Sequence, residues 1–190
     1  MRTLNRTVSP EVVCTVRVVC VCVCVCVCLL LVSTTYGIGM SLYMVDNCTS
    51  ADRGKIAQLR SGVHCLRVET GRYDRDSRED KSKRICKLCL EGVEDELHFL
   101  HDCLVYSRKR EELFDRLYKI SDGLVDIKHV IYKNGWTDEV QRWFLRTILG
   151  DEYAKHKFAS NMRAEVCHFV SWAMKKRRRL MREFGFEYNY

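Results

Sequence analysis

A single proline and ten glycines in 190 residues, with neither a Gly-x-y period nor a sustained heptad, exclude collagen and coiled coil. Strand signals are scarce. No aromatic-x-Asp-Asp turn occurs, so the paired aspartates that hold two metal ions in a nucleic-acid polymerase are missing. No nucleophile–base pair or open metal site suggests a hydrolase or transferase, and the expectation is a protein that is not an enzyme and takes no small-molecule substrate. At 47% apolar the chain has too much hydrophobic content for full disorder. A modest helical core is within its reach.

Charge is missing from Val18 to Val45 and apolar residues are missing from 74–84. The first stretch follows from a repeat: Val-Cys occurs five times between Val19 and Cys28. Alternation of this kind matches a translated GT dinucleotide repeat. Cysteines two apart on a strand lie too far along the chain to bridge in regular geometry. Residues 1–51 therefore read as a low-complexity hydrophobic N-terminus, not a disulfide framework. Residues 18–45 are long enough to span a bilayer, while strict alternation equally suits an aggregation-prone strand. Basic residues flank the run on both sides, so no orientation follows. Membrane anchoring stands as the alternative to a nuclear or cytoplasmic location.

The net charge of +7 is unevenly placed. Residues 52–84 carry ten basic and six acidic side chains, residues 175–190 carry six and two, and the stretch between them is nearly balanced. Two positive patches of this kind attract phosphate backbones or anionic lipid, or form solvated faces. Two segments follow the N-terminus: 52–120, and 121–190 with its basic tail. Within them, Ile56, Leu59, Val63 and Leu66 recur at helical spacing, giving a basic helix or a helix pair broken near Gly62. A helix from Ser107, read as its N-cap, to Ile120 turns Leu113, Phe114, Leu117 and Tyr118 inward, with Glu112/Arg116 and Asp115/Lys119 as ion pairs. Another follows Thr137-Asp138 with Val140, Trp143, Phe144 and Ile148 inward, and Gly150 stops it. The last runs from about Met162 to Phe184, burying Val166, Phe169, Val170, Ala173, Leu180, Met181 and Phe184. The fold class is mainly α.

One cluster stands out: Cys86-x2-Cys89, eight residues, His98, four residues, Cys103. Three thiolates and an imidazole suit tetrahedral zinc with no position left for water or substrate, which marks a structural site. His98 and Cys103 are five apart, so a distorted or ending helix must close it. His101 is the alternative to His98, and a Cys86–Cys89 disulfide is the alternative to metal in a secreted chain. Cys48, Cys65 and Cys167 read as small core or surface thiols.

Leu66-Arg-Val-Glu69-Thr-Gly71-Arg72-Tyr73, Ile85-Cys86-x2-Cys89, Glu94-Asp95-Glu96-Leu97-His98-Phe99-Leu100, Cys103, Tyr106 and Arg110 together resemble the C-terminal zinc-binding Cys-Cys-His-Cys region of non-LTR (LINE-type) retrotransposon reverse transcriptases. The likeness covers residues 56–120, and the tail is similar in character only. It implies Cys86, Cys89, His98 and Cys103 as zinc ligands, and a role in holding element RNA or target DNA. With no polymerase domain, the chain looks like a truncated fragment of such an element. Leu104 stands where the family often has proline.

Nucleic-acid contact has its own physical basis. Arg72, Tyr73, Arg75, Arg78, Lys81, Lys83 and Arg84 mix arginine with an aromatic, a combination that contacts phosphates and stacks a base. Lys175, Lys176, Arg177, Arg178 and Arg179 form the second patch, which reads equally as a nuclear-localisation signal or the polar end of a core helix. RNA or single-stranded DNA is the expected partner. Glu91, Glu94, Asp95 and Glu96 make the zinc segment acidic, and a zinc-dependent protein-interaction module is the competing reading.

Overall fold

The computed structural model describes residues 48–72, 80–150 and 152–186, all within one compact unit spanning residues 42–190. The readings of residues 1–47, including the Val-Cys repeat and the 18–45 span, lie outside the described residues. Among the described residues no helix is long and apolar enough to cross a membrane.

The architecture is mainly α, and no strand occurs among the described residues; an isolated antiparallel bridge joins Ile85 to Val93. α1 (Ser50–Ser61) starts at Thr49, whose hydroxyl accepts from the Asp52 amide, and stops at Gly62, in the left-handed region at φ 69°. The chain re-enters helix for one turn in α2 (Arg67–Thr70). Ile56, Leu59 and Leu66 are buried as the spacing predicts, but Val63 falls in the break and is exposed. α3 (Ser107–Ile120) has the expected bounds, though Tyr106 occupies the N-cap and no side chain caps it. Its Leu113, Phe114 and Leu117 are buried while Tyr118, at the flank of the stripe, is half exposed. Glu112 pairs with Arg116 as expected, whereas Asp115 turns to Lys128 at 2.8 Å.

That lysine belongs to α4 (Ile127–Asn134), capped by the Asp126 carboxylate, a helix the sequence reading passes over. α5 (Asp138–Ile148) is capped by Thr137 and buries Val140, Phe144 and Ile148. Trp143 is only partly buried against the core. At Gly150 a Cβ would lie 2.5 Å from the Arg146 carbonyl oxygen, so only glycine fits behind the helix.

α6 (Ala159–Glu183) is the long organiser. It runs antiparallel to α3, as Arg116 to Glu165 and Val105 to Lys176 record, and parallel to α1, which it meets through Lys55 and Ser171. Its Val166, Phe169, Val170, Ala173 and Met181 enter the core as expected, but Phe184 lies beyond the last turn and is exposed. One hydrophobic cluster takes in α1, the cysteine segment, α3, α5 and α6, so the segments 52–120 and 121–190 share a core.

Candidate metal centre

The cysteine segment has almost no regular structure, and its shape comes from a few specific bonds. The Cys86 amide donates to the Gly92 carbonyl at 2.7 Å and the Leu90 amide to the Cys86 carbonyl at 2.9 Å, which closes a knuckle around Cys86 and Cys89. Leu90 holds the sharp bend at φ 63° with its side chain 74% exposed. The Asp95 carboxylate then accepts from the His98 amide at 2.9 Å and starts a short helical turn. From His98 the turn widens: the Cys103 amide donates five residues back to the His98 carbonyl at 2.7 Å, one π-turn over His98–Asp102. The distortion required by the five-residue spacing is therefore present. It carries His98 and the half-extended Cys103 to the sulfurs of the knuckle.

The ligand atoms of Cys86, Cys89, His98 and Cys103 lie within 4.8 Å of one another, three of the four residues being buried. A tetrahedral ion with metal–sulfur bonds of about 2.3 Å needs sulfurs roughly 3.8 Å apart. The cluster can hold a metal ion with a contraction of an ångström or less. His98 Nε2 is 3.2 Å from Cys89 Sγ. On the other side of the ring, Nδ1 lies 3.0 Å from where a Cβ on residue 92 would sit, so Gly92 makes room for the imidazole. The residues fit a metal with three sulfurs and one nitrogen and leave no donor position unfilled.

The four groups are strongly coupled to one another. The Cys86 thiol is drawn down to about 3, mainly by a hydrogen bond from Cys103, with His98 also contributing. The same bond, and then burial, push Cys103 up. Burial pushes Cys89 up. For His98 burial works against the charged form, yet Cys86, with Asp102 and Glu94, together outweigh it and the imidazole sits above its ordinary value. His101 faces elsewhere: its ring stacks on Trp136 at 3.8 Å and its Nδ1 meets Asp102 at 2.7 Å. The Cys86 and Cys89 thiols are free, as are those of Cys48, Cys65 and Cys167.

Behind the cluster is a feature no sequence pattern signals. Glu94 and Arg177 are both 2% exposed and pair through two bonds, Nε to Oε1 at 2.7 Å and Nη2 to Oε2 at 2.8 Å. The Arg67 amide also donates to Glu94 Oε2, at 3.0 Å, and Cys86 Sγ lies 3.9 Å from Oε1. Glu94 is therefore no part of an acidic surface, and Glu96 accepts from the buried His64 at 2.7 Å. Arg110 supports the last residue of the cluster, donating to the Cys103 carbonyl at 3.1 Å.

The basic patches divide in the same way. Arg84 turns inward, donating to the Val68 carbonyl at 2.6 Å, and Arg177 is locked to Glu94, so both leave the expected phosphate-facing set. Arg72 is on the surface beside Glu69, and Lys81 and Lys83 are exposed on a single 3-10 turn. Tyr73, Arg75 and Arg78 lie outside the described residues. Lys175, Arg178 and Arg179 are exposed, while Lys176 bends back to the Val105 carbonyl at 2.9 Å. No protein-family profile, curated protein or solved structure matches the chain.

Proposed function

We propose that this chain is a non-enzymatic, zinc-stabilised module that binds single-stranded nucleic acid, as the C-terminal region of a LINE-type reverse transcriptase would. The observation that carries the reading is the buried Cys86–Cys89–His98–Cys103 cluster. Three thiolates and an imidazole favour zinc over the hard cations, and four protein donors complete a tetrahedron. A metal held in this way is structural: it fixes the knuckle, the π-turn and the start of α3. The protein-interaction alternative drew on the acidic surface of the segment. Glu94 is buried on Arg177 and Glu96 pairs with His64, which reduces that support, while Glu91 and the cations Lys175, Arg178 and Arg179 stay exposed.

Metal analysis and nucleic-acid binding of the full chain in reducing buffer test the two halves separately. One zinc per chain is expected, lost in Cys89→Ser, because structural zinc supplies roughly 10 kcal/mol of folding free energy in small zinc peptides. Binding to single-stranded RNA or DNA should weaken steeply as salt rises. A zinc content near zero sinks the metal assignment, and no binding at low salt sinks the nucleic-acid assignment.

A further inference from the structure

The antiparallel packing of α3 on α6 leaves a groove of about 170 Å³ lined by Lys109, Leu113, Arg116, His168, Phe169 and Trp172, with Glu165 beside Arg116. This is well below the roughly 300–1,000 Å³ of a drug-sized pocket and suits one planar ring system. Leu113 and Phe169 form its buried floor. Trp172 stands partly exposed in its wall. The ring is held edge-on to Tyr106 at 6.3 Å and tilted against Phe169 at 6.3 Å. The Lys176 ammonium lies 5.1 Å from its centroid. A rigid, partly exposed indole is the kind of surface on which a base stacks.

Helical geometry extends the groove. At about 100° per residue, Lys175 and Arg179 fall about 20° to either side of His168, and Trp172 sits between that line and the side of α6 that meets α3. All three are exposed. Lys109, Arg116, Lys175 and Arg179 then outnumber Glu112, Glu165 and Glu183 along this side of the two helices. The carboxylates hold the cations at the rim, Lys109 to Glu112 at 2.6 Å and Arg116 to Glu165 at 2.8 Å. We propose that a single strand of nucleic acid follows this track, one base stacked on Trp172 and its phosphates on Lys109, Arg116 and the His168–Lys175–Arg179 line. The proposal rests on the nucleic-acid reading above and joins part of the 175–179 patch to a groove, lined by Lys109, Arg116 and Trp172, that the sequence does not single out. The excess of cations selects an anionic ligand, and a flat aromatic wall in a ring-sized gap selects a base over a carboxylate side chain.

The test is fluorescence anisotropy of labelled single-stranded RNA and of the same sequence as DNA, with the zinc-loaded full chain. Lys109→Ala with Arg116→Ala should weaken binding at least tenfold and reduce the log–log salt slope by about 1.4, at about 0.7 per phosphate contact on single strands. Trp172→Leu, which keeps an apolar side chain against Tyr106, should weaken it about 5- to 150-fold with little change in slope. His168→Glu, on an exposed position, gives an independent arm if Trp172→Leu fails to fold: it should weaken binding and leave zinc content and melting unchanged. Strong binding that none of these variants alters overturns the groove assignment and leaves the nucleic-acid reading standing. No binding of RNA or DNA by the wild type overturns both. Binding of polyglutamate but of neither nucleic acid, lost in the double variant, transfers the groove to an acidic protein partner and likewise overturns the proposal. A difference between the RNA and DNA arms identifies which strand the track prefers.

Discussion

Replacing Glu94 by glutamine preserves the shape of the side chain and removes one charge from a site where both partners are 2% exposed. The Arg67 amide keeps an acceptor, but Arg177 is left as a buried cation whose two charge-assisted bonds, at 2.7 and 2.8 Å, have lost their counterion. Removing one member of a buried pair costs about 3–5 kcal/mol, mostly as the penalty of the stranded charge. In a domain of this size that lowers the melting temperature by roughly 10–20 °C. The double variant Glu94→Gln, Arg177→Met takes the cation away as well and should recover most of the loss, to within about 2 kcal/mol of the wild type, since exchanging a buried pair for neutral groups of similar volume is often nearly neutral. Thermal unfolding followed by circular dichroism on the zinc-saturated, reduced chain measures both, with metal content determined beside it. A loss below about 1 kcal/mol in Glu94→Gln, or a double variant as unstable as the single, would refute the stranded-charge argument and return Arg177 to the surface patch.

Three further outcomes follow from local geometry. Leu90→Gly should stabilise the chain by about 0.5–1 kcal/mol in urea unfolding, because a left-handed leucine at φ 63° is strained and its exposed side chain contributes little packing. Gly92→Ala should weaken zinc affinity at least tenfold in a chelator competition, since the new Cβ would meet His98 Nδ1 at 3.0 Å and push the imidazole off the sulfurs. Asp52 is held well below the usual carboxylate range by the Ser171 hydroxyl first and the Thr49 hydroxyl next. Its folded-state value is depressed, so its contribution to the α1–α6 contact is present above about pH 4 and lost as pH falls further. The stability difference between wild type and Asp52→Asn, measured at about pH 6 and about pH 3, should shrink at the lower value, and a difference that grows on acidification would contradict the sign.

The gathering of Cys86, Cys89, His98 and Cys103 was legible because residue type and spacing mark a group that could hold a metal ion, and the need for a distorted or ending helix between His98 and Cys103 followed from counting five residues. Helix α3 was legible because its apolar stripe is long. What the sequence concealed was pairing across distance. Arg177 stands in a run of five cations, which reads as solvated surface, and only Glu94, 83 residues away, explains why one of them points inward. Arg84 likewise ends a stretch without apolar residues, yet its partner is the Val68 carbonyl. Lys128 drew Asp115 from its expected partner because α4, with Ile127 as its buried apolar anchor, is too short to announce itself by periodicity. Val63 and Phe184 were misplaced because each stands just past a helix end, where the 100° repeat no longer applies.

The turn that joins His98 to Cys103 makes chain length, and not chemistry alone, part of the cluster. In an α-helix five residues sweep about 500°, which would leave His98 and Cys103 about 140° apart and aimed to different sides. The wider ring closed by the Cys103 amide on the His98 carbonyl takes up that angle, and everything downstream inherits the setting: α3, its partner α6 and the groove between them are all aimed by where this one loop of backbone lets go. A lesion that deletes Asp102 would spare all four sulfur and nitrogen atoms of the cluster and every cation of the α3–α6 groove, and would still turn α3 against the knuckle.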